Sequence, residues 1–208
     1  MKKYNIFALL MLLIAPLCFM ACSENEDTVE EFPDWKNRNE AYFDNIYEKA
    51  MGIEDGSWKI IRNYSLEDTI PAGYADHIVV EVLEEGTGSE CPVFTDSVLV
   101  HYRGRLLPST SYSEGYVFDE SYEGEFNPQT ALPRQLYVGG HIDGFTTALQ
   151  YMHIGDRWRV YIPYQLGYGS TGSTGIPAYS TLVFDIALVA YYRPGVTPDP
   201  WYAKKGKW

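Results

Sequence analysis

A chain of 208 residues with 46% hydrophobic content suits one folded domain plus appendages rather than two full cores, and it is too apolar to be disordered throughout. Lys and Arg number 16 against 28 Asp and Glu, so the net charge of -12 argues against a nucleic-acid partner. Eighteen tyrosines and five tryptophans supply aromatic surface of the kind that strands and apolar binding sites use.

The chain opens on "MKKYNIFALLMLLIAPLCFMAC", a basic start, an apolar run and small or apolar residues up to Cys22. That is the order of a secretory signal, and Pro16 leaves the run short for a comfortable membrane span. "FMAC" resembles a bacterial lipobox, whose cysteine is acylated and becomes the mature N-terminus. Residues 1–21 are then a lipoprotein signal peptide and Cys22 the lipidation site. Cys18 leaves with the signal, so Cys91 has no intrachain partner. Residues 22–33, with "SENEDTVEE", read as a solvated acidic tether, and they resemble the serine-plus-acid signal of surface-exposed lipoproteins in the Bacteroides group. The expected location is the cell envelope, lipid-anchored at the outer membrane on its periplasmic face or at the cell surface.

In "DWKNRNEAYFDNIYEKAMG", Trp35, Tyr42, Phe43, Ile46, Tyr47 and Ala50 recur at helical spacing, with Asp34 as cap and Gly52 as stop. This predicts an amphipathic helix within an N-terminal helical extension, residues 34–75, whose stripe docks on its own domain or on a neighbour. Beyond it the pattern has period two. Ile78, Val80 and Val82 alternate with more polar positions, as do Val98, Val100 and Tyr102 with Leu99, His101 and Arg103. Trp158, Val160 and Ile162 follow, then Leu182, Phe184, Ile186 and Leu188. These are antiparallel-type strands with one wetter face. Only residues 143–155, ending at Gly155, read as helical here, so the fold class is α+β, with a curved antiparallel sheet wrapped on one short helix.

Several familiar chemistries find no footing. "QLGYGSTGSTGIPAYS" lacks the lysine of a phosphate loop and precedes a strand rather than a helix. The four histidines, His77, His101, His141 and His153, lack metal-ligand spacing, and no G-x-S-x-G elbow occurs. No metal and no cofactor are expected. The carboxylate in "GYVFDES", Asp119, follows an apolar aromatic run and could be an acid, a ligand or a hydrogen-bond anchor.

Four segments in order, "VLVHYRGRL", "VFDES", "GFTTALQYMHIGDRWRVYIPYQLGYG" and "STLVFDIALV", resemble the FKBP-type peptidyl-prolyl cis/trans isomerases over residues 76–193, leaving a tail at 194–208. The resemblance implies a prolyl pocket between sheet and short helix. It assigns catalytic positions to Tyr102, Phe118, Asp119 and Tyr168, and substrate-binding positions to Ile142, Phe145, Ile176 and Phe184. It also implies proline-containing polypeptides as partners, macrolide-type ligands, and a membrane attachment through the lipid alone. Asp119 is expected to accept a hydrogen bond from Tyr102 and to transfer no proton. Phe145 stands where the family usually has tryptophan, Arg134 or Pro133 near a usual aromatic, and His141 at a usually aliphatic position. These departures keep a non-catalytic peptide-binding or chaperone module open, and the helix at 34–51 as a docking face leaves a third possibility, a lipoprotein subunit of a surface assembly. Asp27-Thr28-Val29, Asp68-Thr69-Ile70 and Asp96-Ser97-Val98 also resemble O-glycosylation acceptor triplets of Bacteroides-type bacteria.

Overall fold

The structure, a computed structural model, describes residues 30–67 and 69–196. The expected signal peptide, Cys22, the tether up to residue 29, Asp68 and the tail from 197 lie outside the described residues, and with them the glycosylation triplet at Thr28 and the first residue of the one at Thr69. The chain divides into residues 1–30 and 31–208, and every element named here belongs to the second unit.

Seven strands form one antiparallel sheet: β1 (Trp58–Arg62), β2 (His77–Glu84), β3 (Ser97–Arg105), β4 (Val117–Glu120), β5 (Arg134–Tyr137), β6 (Arg157–Ile162) and β7 (Leu182–Tyr192). Their order is β1-β2-β6-β7-β3-β4, with β5 also on β3. β3 pairs with β7 along its whole length. Its other edge is shared, β5 taking residues 97–100 and β4 residues 103–105, so two short strands converge on one central strand. Helix α1 (Trp35–Met51) precedes the sheet and α2 (Asp143–Tyr151) lies between β5 and β6.

The period-two residues Val80, Val100, Tyr102, Trp158, Val160, Phe184 and Ile186 are buried, and they form one core with Phe145, Ala148 and Leu149 of α2. A Cβ at Gly144 would lie 2.3 Å from Ile162 Cγ2, so only glycine lets the helix approach the sheet this closely. On the opposite face Arg159 grips Asp185 at 2.7 and 3.1 Å, and Arg103 pairs with Glu120 at 2.7 Å. Trp58 stacks on Tyr161 there, with centroids 5.8 Å apart, while α1 adds Tyr42 against Tyr161 and Lys49 Nζ 4.0 Å over Trp58.

The stripe of α1 therefore docks on its own domain, with Trp35, Phe43 and Ala50 buried. Trp35 Nε1 donates to Ser180 Oγ at 2.9 Å. The fully buried Asn39 accepts from the Thr181 amide at 2.8 Å and donates to the Trp35 carbonyl at 2.7 Å. Deleting that carboxamide strands a buried amide, a loss of roughly 1–3 kcal/mol.

Several sequence expectations are corrected. Asp34 is no side-chain cap: its backbone is left-handed (φ 48) and its carboxylate takes the Asn37 side chain instead. The extension 34–75 is not wholly helical, because "WKIIR" supplies β1 to the open edge of β2. The helix from Asp143 ends at Tyr151, before Gly155. Met152 is already extended, and the Asp156 carboxylate draws the chain away by accepting from the His153 and Gly86 amides, both at 2.7 Å. In the triplet Asp96-Ser97-Val98 the flanking residues are buried, while Ser97 is half-buried. Asp96 is fully buried and binds the Val93 amide and Arg193, while Ser97 is paired with both β5 and β7.

His101 points to the expected wetter face yet is 1% exposed, because Tyr122 and Phe126 of the loop after β4 fold over it. Among the described residues neither ring nitrogen has a partner, and burial lowers its pKa to about 4. The unfolded histidine takes its proton near pH ~6.5, so this contribution to stability is complete above that pH and is lost as the pH falls toward the folded value. Thermal melts followed by circular dichroism should show Tm falling more steeply from about pH 6.5 to 4 in the parent than in His101→Leu. Parallel curves would contradict this account.

Candidate active site

Between α2 and the sheet lies a cavity of about 250 Å³. Phe145, from the first turn of α2, forms its floor together with Phe184 of β7, with centroids 5.1 Å apart at an edge-on angle. Tyr102 of β3 meets Phe145 at 5.8 Å, and Phe118 of β4 meets Phe184 at 5.4 Å. Such edge-to-face packing matches ring edges to ring faces and fixes the apolar wall. Gly104 makes the arrangement possible, since a Cβ there would lie within 2.5–2.8 Å of the Phe184 and Phe118 rings. Ile142, His141, Leu136, Gly140 and Tyr168 complete the lining.

The polar rim is built on the β3–β4 pairing, in which Gly104 faces Asp119. Tyr102 Oη donates to Asp119 Oδ2 at 2.7 Å and accepts from Arg134 Nη1 at 2.5 Å, while Arg134 Nη1 also stands 3.4 Å from Asp119 Oδ1. Burial, and then the hydrogen bond to Asp119, push the Tyr102 phenol up to about 12. Ser121 pins the corner, its hydroxyl accepting from the Tyr102 amide at 2.8 Å and its own amide donating to the Tyr102 carbonyl at 2.9 Å.

Tyr168 also lines the cavity, and among the described residues its hydroxyl has no hydrogen-bond partner. Burial, and then the Asp119 charge, raise its pKa. His141 is half-buried against Phe145, 5.3 Å away; burial lowers its pKa, with Asp119 opposing the shift. The cavity thus combines an aromatic box, one closed Tyr–Asp–Arg network and one free hydroxyl. It contains no nucleophile paired with a base. Among the described residues no three His, Cys, Asp or Glu side chains group as metal ligands, and Cys91 is a free, half-buried thiol.

Seven of the eight expected pocket residues meet in this lining: Tyr102, Phe118, Asp119, Ile142, Phe145, Tyr168 and Phe184. Ile176 does not. It is buried in the core, and its backbone exchanges two 2.9 Å hydrogen bonds with Ser173, so it closes the loop that carries Tyr168. Leu136 is a lining residue that the sequence reading missed; its signal is the alternation Arg134, Leu136 in "LPRQLYVGG", which places both on one face of β5.

Residues 88–189 match the family of FKBP-type peptidyl-prolyl cis-trans isomerases. A "Macrophage infectivity potentiator" of Trypanosoma cruzi is 34% identical over 191 residues, covering 91% of this chain and 86% of that protein. The chain belongs to the FKBP-type peptidyl-prolyl cis-trans isomerases. Other FKBP relatives match over less of their length. The FKBP-type 22 kDa isomerase of Escherichia coli is 39% identical over 52% of this chain and 47% of its own. FkpA of the same organism is 38% identical over 54% and 37%. The chain thus spans half or less of these two relatives. The crystal structure of Escherichia coli FkpA is similar with a TM-score of 0.53 at 27% identity, over 93% of this chain and 74% of that one. A Pseudomonas syringae peptidyl-prolyl isomerase structure gives 0.51 at 29% identity, over 74% and 96%. An antiparallel seven-stranded sheet with a short helix is therefore the FKBP fold in this chain, as expected.

Proposed function

We propose that the protein isomerises X-Pro bonds in exported polypeptides by drying and supporting the twisted imide, with no covalent intermediate. The carrying observation is the aromatic box of Tyr102, Phe118, Phe145 and Phe184 in a cavity that Tyr168 also lines, its hydroxyl unpaired among the described residues. Rotation about the amide faces a barrier of ~18–20 kcal/mol because resonance is lost. The planar form separates charge and is favoured by water, so an apolar wall withdraws ground-state solvation, while a fixed donor supports the carbonyl as it turns. About 4 kcal/mol of differential stabilisation gives a thousandfold acceleration, within reach of packing and one hydrogen bond. Tyr102 is not that donor, because its proton is held by Asp119 and its oxygen by Arg134. Its part is to position the wall, and that leaves Tyr168 to meet the imide. The cavity lies below the about 300–1,000 Å³ usual for drug-sized ligands, which favours a prolyl ring and leaves a macrolide overhanging the rim. A protease-coupled proline-isomerisation assay on the full chain tests the reading. Peptide binding without turnover would favour the non-catalytic module instead.

The same proposal includes a Bacteroides-type lipoprotein, acylated at Cys22 and tethered by the acidic stretch to the outer membrane, which brings the pocket to chains emerging in the envelope. The "FMAC" junction supports it, since two or more acyl chains anchor stably. Cys22→Ser is expected to lose labelled-palmitate incorporation and to leave the membrane fraction or stall unprocessed. A processed Ser variant that still fractionates with membranes would count against the anchor.

A further inference from the structure

An exposed aromatic strip adjoins the prolyl pocket at Gly140. Gly140 lines the pocket, and a Cβ there would stand 3.5 Å from the Tyr137 ring. Tyr137 meets Phe94 edge-on at 6.4 Å, and Phe94 meets Tyr64 at 5.6 Å. None of the three lines the cavity, and Tyr137 and Phe94 are 47% and 40% exposed, with Val93 beside them at 46%.

This apolar strip is held rigidly. Buried Asp96 accepts from the Val93 amide at 2.8 Å and from Arg193 at 2.6 Å, which locks the turn that presents Val93 and Phe94. The Phe94 ring lies flat on Gly139, where a Cβ would come within 2.5–2.8 Å of three ring carbons, and the Gly139 amide donates to the Phe94 carbonyl at 3.0 Å. Burying a carboxylate has a desolvation cost, and here it holds large apolar side chains out in water. A contiguous, preformed apolar surface beside a peptide pocket is what a second contact with that peptide needs, because little ordering remains to oppose binding.

We propose that Tyr64, Phe94 and Tyr137 form a subsite for a bulky apolar side chain of the client polypeptide, about three to five residues from the isomerised proline at ~3.3–3.6 Å per extended residue. The inference rests on the isomerase reading, since adjacency to the prolyl pocket at Gly140 selects the client as occupant. It makes the preferred substrate an unfolded segment with an aromatic or large aliphatic residue near its proline.

The test compares three substrates: an X-Pro tetrapeptide, a twelve-residue peptide with Trp four residues from its proline, and the same peptide with Ser in place of Trp. The full chain and its Phe94→Ser/Tyr137→Ser variant are assayed on all three, and binding of the two long peptides is read separately by fluorescence anisotropy. The parent is expected to favour the Trp over the Ser peptide at least tenfold in kcat/KM and in affinity. The variant should lose that preference and keep its tetrapeptide rate. Equal treatment of the two long peptides by the parent, or an undiminished preference in a folded variant, overturns the subsite. So does a concentration-dependent dimer in sedimentation that the variant abolishes, because a second copy would then be the occupant. If the parent turns over no tetrapeptide, the isomerase reading fails by itself, and the anisotropy comparison still decides the subsite.

Discussion

Phe118→Ala and Tyr168→Ala are each expected to lower kcat/KM on a short X-Pro peptide by more than tenfold, with circular dichroism and Tm close to the parent. Phe118 stands on the short strand β4, half-buried, and closes the wall by its edge contact with Phe184 at 5.4 Å. Truncation opens the space above Gly104 to water, and rewetting the imide by as little as ~1.4 kcal/mol is a factor of ten in rate. Tyr168 contributes both a ring and the free hydroxyl, so Tyr168→Phe separates the two. If the hydroxyl supports the turning carbonyl, the Phe variant falls part of the way and mainly in kcat; if the ring alone excludes water, it matches the parent. Folded Ala variants with parental rates would direct attention to a binding module.

The pocket was legible in the sequence through the resemblance carried by its four ordered segments, and the local patterns only say on which elements its residues stand. Tyr102 and Phe184 occupy alternating strand positions, Phe145 begins the one short helix of that region, and Asp119 follows the aromatic run of β4. What escaped the sequence depends on long-range closure. The resemblance already put Arg134 or Pro133 near the site, but the bond from Arg134 to Tyr102, 32 residues away, has no local signal. His101 has the alternation of a solvent-facing residue, and only the return of the loop carrying Tyr122 and Phe126 buries it. Trp58–Arg62 is a strand because β2 has an open edge, and α2 stops early because Asp156 captures amides from two separate segments. Propensity fixes none of these, since each is decided by a partner distant in the chain.

Asp119 is expected to act as an anchor, with a rate that stays nearly flat from about pH 7 to 9 and a solvent deuterium effect close to one. Rotation about an imide moves no proton, so a general acid has nothing to donate. The shifts of the groups around the cavity all lead away from the window. Tyr102 is raised to about 12 and Tyr168 is also raised, so both phenols keep their protons through the window. His141 is lowered, so its ring is neutral throughout and gains charge only at a pH below its ordinary range. Asp119 holds Tyr102 at 2.7 Å and approaches Arg134 at 3.4 Å, which fixes the ring that packs on Phe145. Asp119→Asn keeps an oxygen that accepts from Tyr102 and should lose activity only a few-fold. Asp119→Leu leaves the buried hydroxyl without an acceptor, at roughly 1–3 kcal/mol, and should cost on the order of tenfold or more, with a lower Tm. Arg134→Leu separates the network from the charge: Tyr102 keeps Asp119, so activity should fall less than in Asp119→Leu. A bell-shaped profile whose acidic limb disappears in Asp119→Asn would instead make the carboxylate a chemical participant.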